Sequence, residues 1–107
     1  MLSPSERLRK SITKDNLWIY ILTLLKKEEL YPYQIQDKIK KEFGFYPGNV
    51  TPYIVLKMLE KGDYVAVVRS EKLHGPERKY YKITEKGRNE IKKGAAIYKE
   101  TADFMMK

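Results

Sequence analysis

Residues 75–87 read GPERKYYKITEKG, and this run decides the fold because a turn, a strand and a helix start follow one another within it. Gly75-Pro76 is a turn signal, and from Arg78 to Ile83 charged residues interleave with aromatic and aliphatic ones in a pattern that suits a strand. Thr84 ends the strand and caps a helix: its side-chain oxygen can accept from the free amides of the first turn, while Glu85 faces the positive helix end. Upstream, Tyr64 to Arg69 (YVAVVR) is β-branched and aromatic and pairs with Arg78 to Ile83 across a loop carrying Glu71, Lys72 and His74. The expectation is a basic-tipped, two-stranded hairpin that feeds directly into a helix.

Towards the N-terminus the hydrophobic period becomes helical. Ser3-Pro4 with Glu6 behind it reads as cap, first-turn proline and first-turn acid, which predicts a short basic helix over residues 4 to 13. Asp15 or Asn16 caps a stronger helix from Leu17 to about Glu28, whose stripe of Leu17, Ile21, Leu24 and Leu25 is widened by Trp18 and Leu22. Leu30-Tyr31-Pro32 breaks the chain, and Pro32 opens a second core helix to about Phe43 with Ile35, Ile39 and Phe43 on one face. Gly44 to Gly48 is the turn. Thr51, as a cap with Pro52 behind it, starts a third core helix that ends at Gly62. Successive residues about 100° apart put Pro52, Val55, Leu56 and Leu59 on its core side, and Val50, Tyr53, Lys57 and Lys61 on the side free to meet a partner.

Three helices followed by a hairpin define an α+β, mainly α fold: a winged helix-turn-helix, with a three-helix core and a two-stranded wing. Residues 1–83 are expected to form the DNA-binding domain with its N-terminal helix, and residues 84–107 a long C-terminal dimerisation helix, as a single compact unit.

Composition bounds the function. A chain of 107 residues with 42% hydrophobic side chains is one small domain. No apolar run approaches the ~20 residues of a membrane span, and MLSPSERLRK lacks a signal-peptide core, so the expected location is the cytoplasm, at the nucleoid. The absence of cysteine removes disulfides, thiolate metal sites and cysteine catalysis, and a single histidine does not make a zinc site, so no cofactor or metal is expected. There is no Gly-rich phosphate loop and no histidine paired with a nucleophile, and Glu28-Glu29 point to different faces of a helix end; no enzyme is read here. Abundant Lys, Glu, Ile and Tyr lean towards a thermophile.

The net charge of +8 calls for a polyanionic partner, double-stranded DNA first. Its distribution supports this: eight basic residues against four acids lie between Glu71 and Lys93, half of the chain's excess in about a fifth of its length.

GPERKYYKITEKGR also resembles, without a gap, the G-P-x-R-K-Y-Y-x-[LI]-T-x-x-G run of PadR-like winged-helix transcriptional regulators. LWIYILTLLKKEELYPYQIQDKIKKEFG is similar to that family's first two core helices, with Tyr33-Gln34-Ile35 where Tyr-Glu-Ile or Tyr-Glu-Leu is usual, so the resemblance spans roughly residues 17 to 93. It departs at the entry to the third helix, where Pro-Gly-Thr-Leu-Tyr is replaced by Asn49-Val50-Thr51-Pro52-Tyr53, and Gly62 sits one residue early. A sequence-specific repressor reading an inverted-repeat operator is the favoured reading, with a non-specific architectural chromatin protein and a winged-helix protein-docking module as the alternatives. The resemblance implies a transcriptional regulator, in a family whose members are released by small, often aromatic effectors. Trp18 lies on the first core helix rather than the last, so no particular effector site carries over.

The candidate DNA-contacting set is Tyr33, Gln34, Asn49, Thr51, Tyr53, Lys57, Lys72, His74, Arg78 and Lys79. For Asn49, bidentate pairing with adenine competes with helix capping, and capping is also the alternative for Thr51. Tyr53 and Lys57 are read as phosphate contacts, and Lys72, His74, Arg78 and Lys79 as neutralising charges on the wing, although a lone loop histidine is ordinarily just solvated. After Thr84, Ile91, Ala95, Tyr98, Ala102 and Met105 alternate steps of four and three, a heptad seam expected to form a homodimer interface, with Ile97 and Phe104 beside it. Folding back of this helix on its own domain is the alternative, and Gly94 weakens the helix beside the seam.

Overall fold

Ser3 begins the first helix as its sequence implies. In the computed structural model, which describes residues 1–72 and 74–107, Ser3 Oγ accepts from the Glu6 N–H at 3.2 Å, and Glu6 Oε1 accepts from the Ser3 N–H at 3.0 Å. This reciprocal pair satisfies two amides that the first turn otherwise leaves free. The hydrogen bonds to Ser3 hold the Glu6 carboxyl below its ordinary pKa. Helix α1, Pro4–Thr13, nevertheless buries none of its residues and is tied down by the Tyr20 hydroxyl, which donates to the Ile12 carbonyl at 2.7 Å.

One tight turn, Lys14–Asn16, leads into α2, Leu17–Leu25, in which Leu17, Ile21, Leu22, Leu24 and Leu25 are buried. Helix α2 stops short of the expected Glu28. The charged Lys26 to Glu29 remain exposed, and Leu30 is drawn into the sheet, where it exchanges backbone bonds of 3.2 and 2.8 Å with Tyr81. Helix α3, Pro32–Lys38, continues not as one α-helix but as a widened π-type turn over Ile39–Phe43, closed by Gly44 at φ +74°. There Phe43 and Phe45 each meet Tyr20 edge-on at 5.0 Å between ring centroids. Such edge-to-face packing is favourable beyond area burial.

Helix α4 is Thr51–Lys61. The capping position falls on Val50, which has no acceptor, so Thr51 is the first helical residue rather than the cap. Its core face is the expected one, with Pro52, Leu56 and Leu59 buried and Val55 half-buried, while Tyr53, Lys57 and Lys61 are exposed.

Strands β1, Val65–Glu71, and β2, Arg78–Ile83, form the antiparallel wing, β1 starting one residue later and running two residues further than expected. Val67 pairs with Tyr81 and Arg69 with Tyr80, so Val68 is an extra, bulged residue. The wing therefore sends Tyr80 as well as Tyr81 and Ile83 inward.

Helix α5, Glu85–Met105, starts at Thr84, whose Oγ1 accepts from the Gly87 N–H at 3.1 Å and lies 2.7 Å from the Asp63 carbonyl to which it donates. Its N-terminal part rests on α2 and β2, and every residue beyond Gly94 is exposed. The core beneath is aliphatic, with Ile21, Leu22, Leu30, Ile35, Ile39, Leu56 and Val65 fully buried.

Candidate nucleic-acid interface

Helix α3 enters the interface through a side-chain cap. Gln34 Oε1 accepts from the Tyr31 N–H at 3.1 Å, which commits the carbonyl end of the Gln34 amide to the helix start. Tyr33, its neighbour, is 63% exposed.

The segment between α3 and α4 is held by Gln36, whose Nε2 donates to the Gly48 carbonyl at 2.8 Å and to Asn49 Oδ1 at 3.2 Å. The Tyr46 hydroxyl donates to the same Asn49 oxygen. Asn49 is exposed, yet its oxygen already serves two donors, so the bidentate pairing with adenine considered from sequence is not offered by this arrangement. Gln36 lies twelve and thirteen residues from its two partners, and no local pattern announces it.

The wing is joined to α3 by alternating cations and rings. The Arg69 guanidinium lies over the Tyr80 ring at 3.9 Å, Tyr80 meets Tyr31 edge-on at 5.2 Å, and the Arg78 guanidinium lies over Tyr31 at 4.9 Å. Each cation–ring pair contributes about 0.5–1 kcal/mol at an exposed site. The arrangement limits the freedom of Arg78, and among the described residues no carboxylate forms a salt bridge with it.

Between the start of α3, α4 and the wing lies a cleft of about 700 Å³. Tyr33, Tyr53, Lys57, Arg78 and Lys79 line it together, joined by Tyr31 and Tyr81, which the sequence did not single out for this role. Glu60 and Glu77 also line it, with Glu77 accepting from the Ser70 hydroxyl, so the three cations of the cleft stand with two carboxylates. Burial first, and then the charge of Glu60, keep the Tyr81 phenol above its usual pKa, so it remains neutral at physiological pH. Lys72 and His74 lie apart from this cleft; His74 and Arg78 line a smaller hollow of about 210 Å³ with Glu71 and Pro76. Thr51 is exposed in the first turn of α4, about 200° around the helix from Tyr53. Among the described residues there is no group of three or more His, Cys, Asp or Glu side chains placed to hold a metal ion.

The expected dimer seam divides into two parts. Ile91 is half-buried against the domain's own core, and Gly94 packs so closely on α2 that a Cβ there would stand 3.0 Å from Trp18 Cη2. Ile91 therefore belongs to the intramolecular packing rather than to the free stripe, because Gly94 draws this turn of α5 onto α2. Ala95, Tyr98, Ala102 and Met105 are exposed, as are Ile97 and Phe104, at 62% and 77%.

A helix with a free face, preceded by a helix and turn and flanked by a cationic hairpin, is the arrangement of a winged helix-turn-helix protein. The chain belongs to the Transcriptional regulator PadR-like family, whose model matches residues 21–93. It is 31% identical over 103 residues to an uncharacterized protein of Lysinibacillus sphaericus, covering 92% of this chain and 94% of that one. A PadR-like transcription factor from Bacteroides fragilis is similar in structure, with a TM-score of 0.75, 31% identity, and coverage of 92% of this chain and 95% of the other. Bacillus subtilis PadR, solved in complex with operator DNA, is similar with a TM-score of 0.65 and 30% identity over 74% of this chain and 47% of that longer one. Among the described residues no helix is long and apolar enough to cross a membrane.

Proposed function

We propose that the chain is a homodimeric transcriptional repressor that binds duplex DNA in the cytoplasm, at the nucleoid, and reads an inverted-repeat operator. The observation that carries this reading is the placement of Lys57, Arg78 and Lys79 around one cleft beside the exposed face of α4. A sugar-phosphate strand fits between helix and wing there, with α4 entering the major groove. The operator complex of the similar Bacillus subtilis PadR supports the choice of duplex DNA as partner.

Dimerisation follows from α5. A helix of 21 residues extends about 31 Å, and beyond Gly94 none of it is covered. Ala95, Tyr98, Ala102 and Met105 keep the heptad spacing, and a second copy of the same stripe covers them, with the uncovered α1 alongside. A two-fold dimer then presents two α4 helices about 34 Å apart, one turn of DNA.

The test is titration of the full chain with duplex DNA across a salt series, alongside sedimentation. Expected are a dimer, an affinity that falls steeply with salt, and a preference among sequences. No duplex binding at ~50 mM salt removes the reading, and equal affinity for all sequences replaces it with an architectural DNA-coating role.

A further inference from the structure

The free face of α4 is unusually apolar for a surface that meets a polyanion. Val50, Ile54 and Met58, four residues apart, form one ridge and are 63%, 54% and 66% exposed. The hydrogen-bonding groups near its N-terminal half are few. Asn49 has its oxygen taken by Gln36 and Tyr46, leaving its amide N–H groups and the hydroxyls of Thr51 and Tyr53.

Cations stand beside this ridge. Lys57, Arg78 and Lys79 lie on the wing side, and Lys40 lies over the Tyr46 ring at 5.6 Å, next to Asn49. An apolar strip with positive charge beside it complements the major groove, where base edges run between two phosphate strands. The one apolar group that bases present there is the thymine C5-methyl.

Resting on the DNA-binding reading above, we propose that α4 discriminates operators chiefly through apolar contact of Val50, Ile54 and Met58 with thymine methyl groups. Adenine and guanine hydrogen bonding then plays a lesser part in this half-site code. Tyr53 and Lys57 hold the helix in register from the cleft side.

The probe is a duplex enriched by the full-length protein from a random pool, compared with the same duplex carrying uracil in place of thymine, which removes only the methyl groups. Wild type is expected to bind the uracil form more weakly, by roughly fourfold for each thymine methyl that the ridge covers. Ile54→Ala with Met58→Ala, both at exposed positions, is expected to narrow the gap between the two affinities, whereas Arg78→Ala weakens both forms by the same factor. Equal wild-type affinities for the thymine and uracil duplexes overturn this inference alone, as does a thymine preference undiminished by the double substitution. A random pool from which no duplex is enriched overturns the DNA reading and this inference with it.

Discussion

The backbone carbonyl of Tyr64 occupies the space that a Cβ on Gly87 would need, and Ile83 Cγ1 stands 2.7 Å from the same point. The first turn of α5 is therefore seated directly on the base of the wing, where the Tyr64 carbonyl also accepts from the Thr84 N–H at 3.1 Å. Gly87→Ala gains about 1 kcal/mol of helix propensity but forces this junction apart. Overpacking of a closed site costs about 1–3 kcal/mol, so a net loss of stability is expected in urea unfolding. An alanine variant as stable as wild type means the junction has slack.

Thr84 closes the same junction from the other side, accepting from the Gly87 N–H and donating towards the Asp63 carbonyl. Thr84→Ala is expected to cost about 1 kcal/mol, and Thr84→Ser to retain most of the stability because its hydroxyl keeps both roles. Equal losses in the two variants place the effect in the methyl group instead.

Arg78 and Lys79 share the cleft with Lys57 but belong to the wing and not to α4. Replacing both by alanine is expected to weaken binding to every duplex alike and to flatten the plot of log affinity against log salt by about two. Ile54→Ala with Met58→Ala, on α4, is expected to shift the ranking among sequences. A wing variant that reorders sequence preference contradicts this division of labour.

Deleting residues 96–107 removes most of the exposed stripe of α5 and leaves Ile91 and Gly94 on their own domain. The shortened chain is expected to remain folded, to sediment as a monomer, and to bind an inverted repeat far more weakly than the full chain. A dimer that persists after the deletion assigns the seam elsewhere.

Tyr81 ties stability to alkaline pH. Burial and Glu60 raise its phenol above the ordinary value of 10.0, so near and above that pH the unfolded chain loses this proton while the folded chain keeps it. Its contribution is fully present below pH 10 and is lost as pH rises through the folded pKa. Denaturation measured from pH 8 upward is expected to show stability falling above pH ~10, with a shallower fall in Tyr81→Phe. Superimposed alkaline profiles exclude this linkage.

The elements that the sequence determined by itself are those set by near neighbours. Ser3 with Glu6 and Thr84 with Gly87 make their caps within three residues, and the inner face of α4 follows from the helical period alone. Tertiary structure decided the roles of side chains whose partners lie far along the chain. Gln36 claims the oxygen of Asn49, Leu30 between two helices pairs with Tyr81, and Tyr31 receives Arg78. A bulge at Val68 turns Tyr80 inward against the strand period, and Gly94, which on helix propensity alone is a weakness, is what lets α5 lie against Trp18 and carry Ile91 into the core. Backbone hydrogen bonding and hydrophobic period act over one or two turns and are written in local order. The occupancy of an acceptor or the closeness of two helices depends on which surfaces meet, and only the packed chain brings them together.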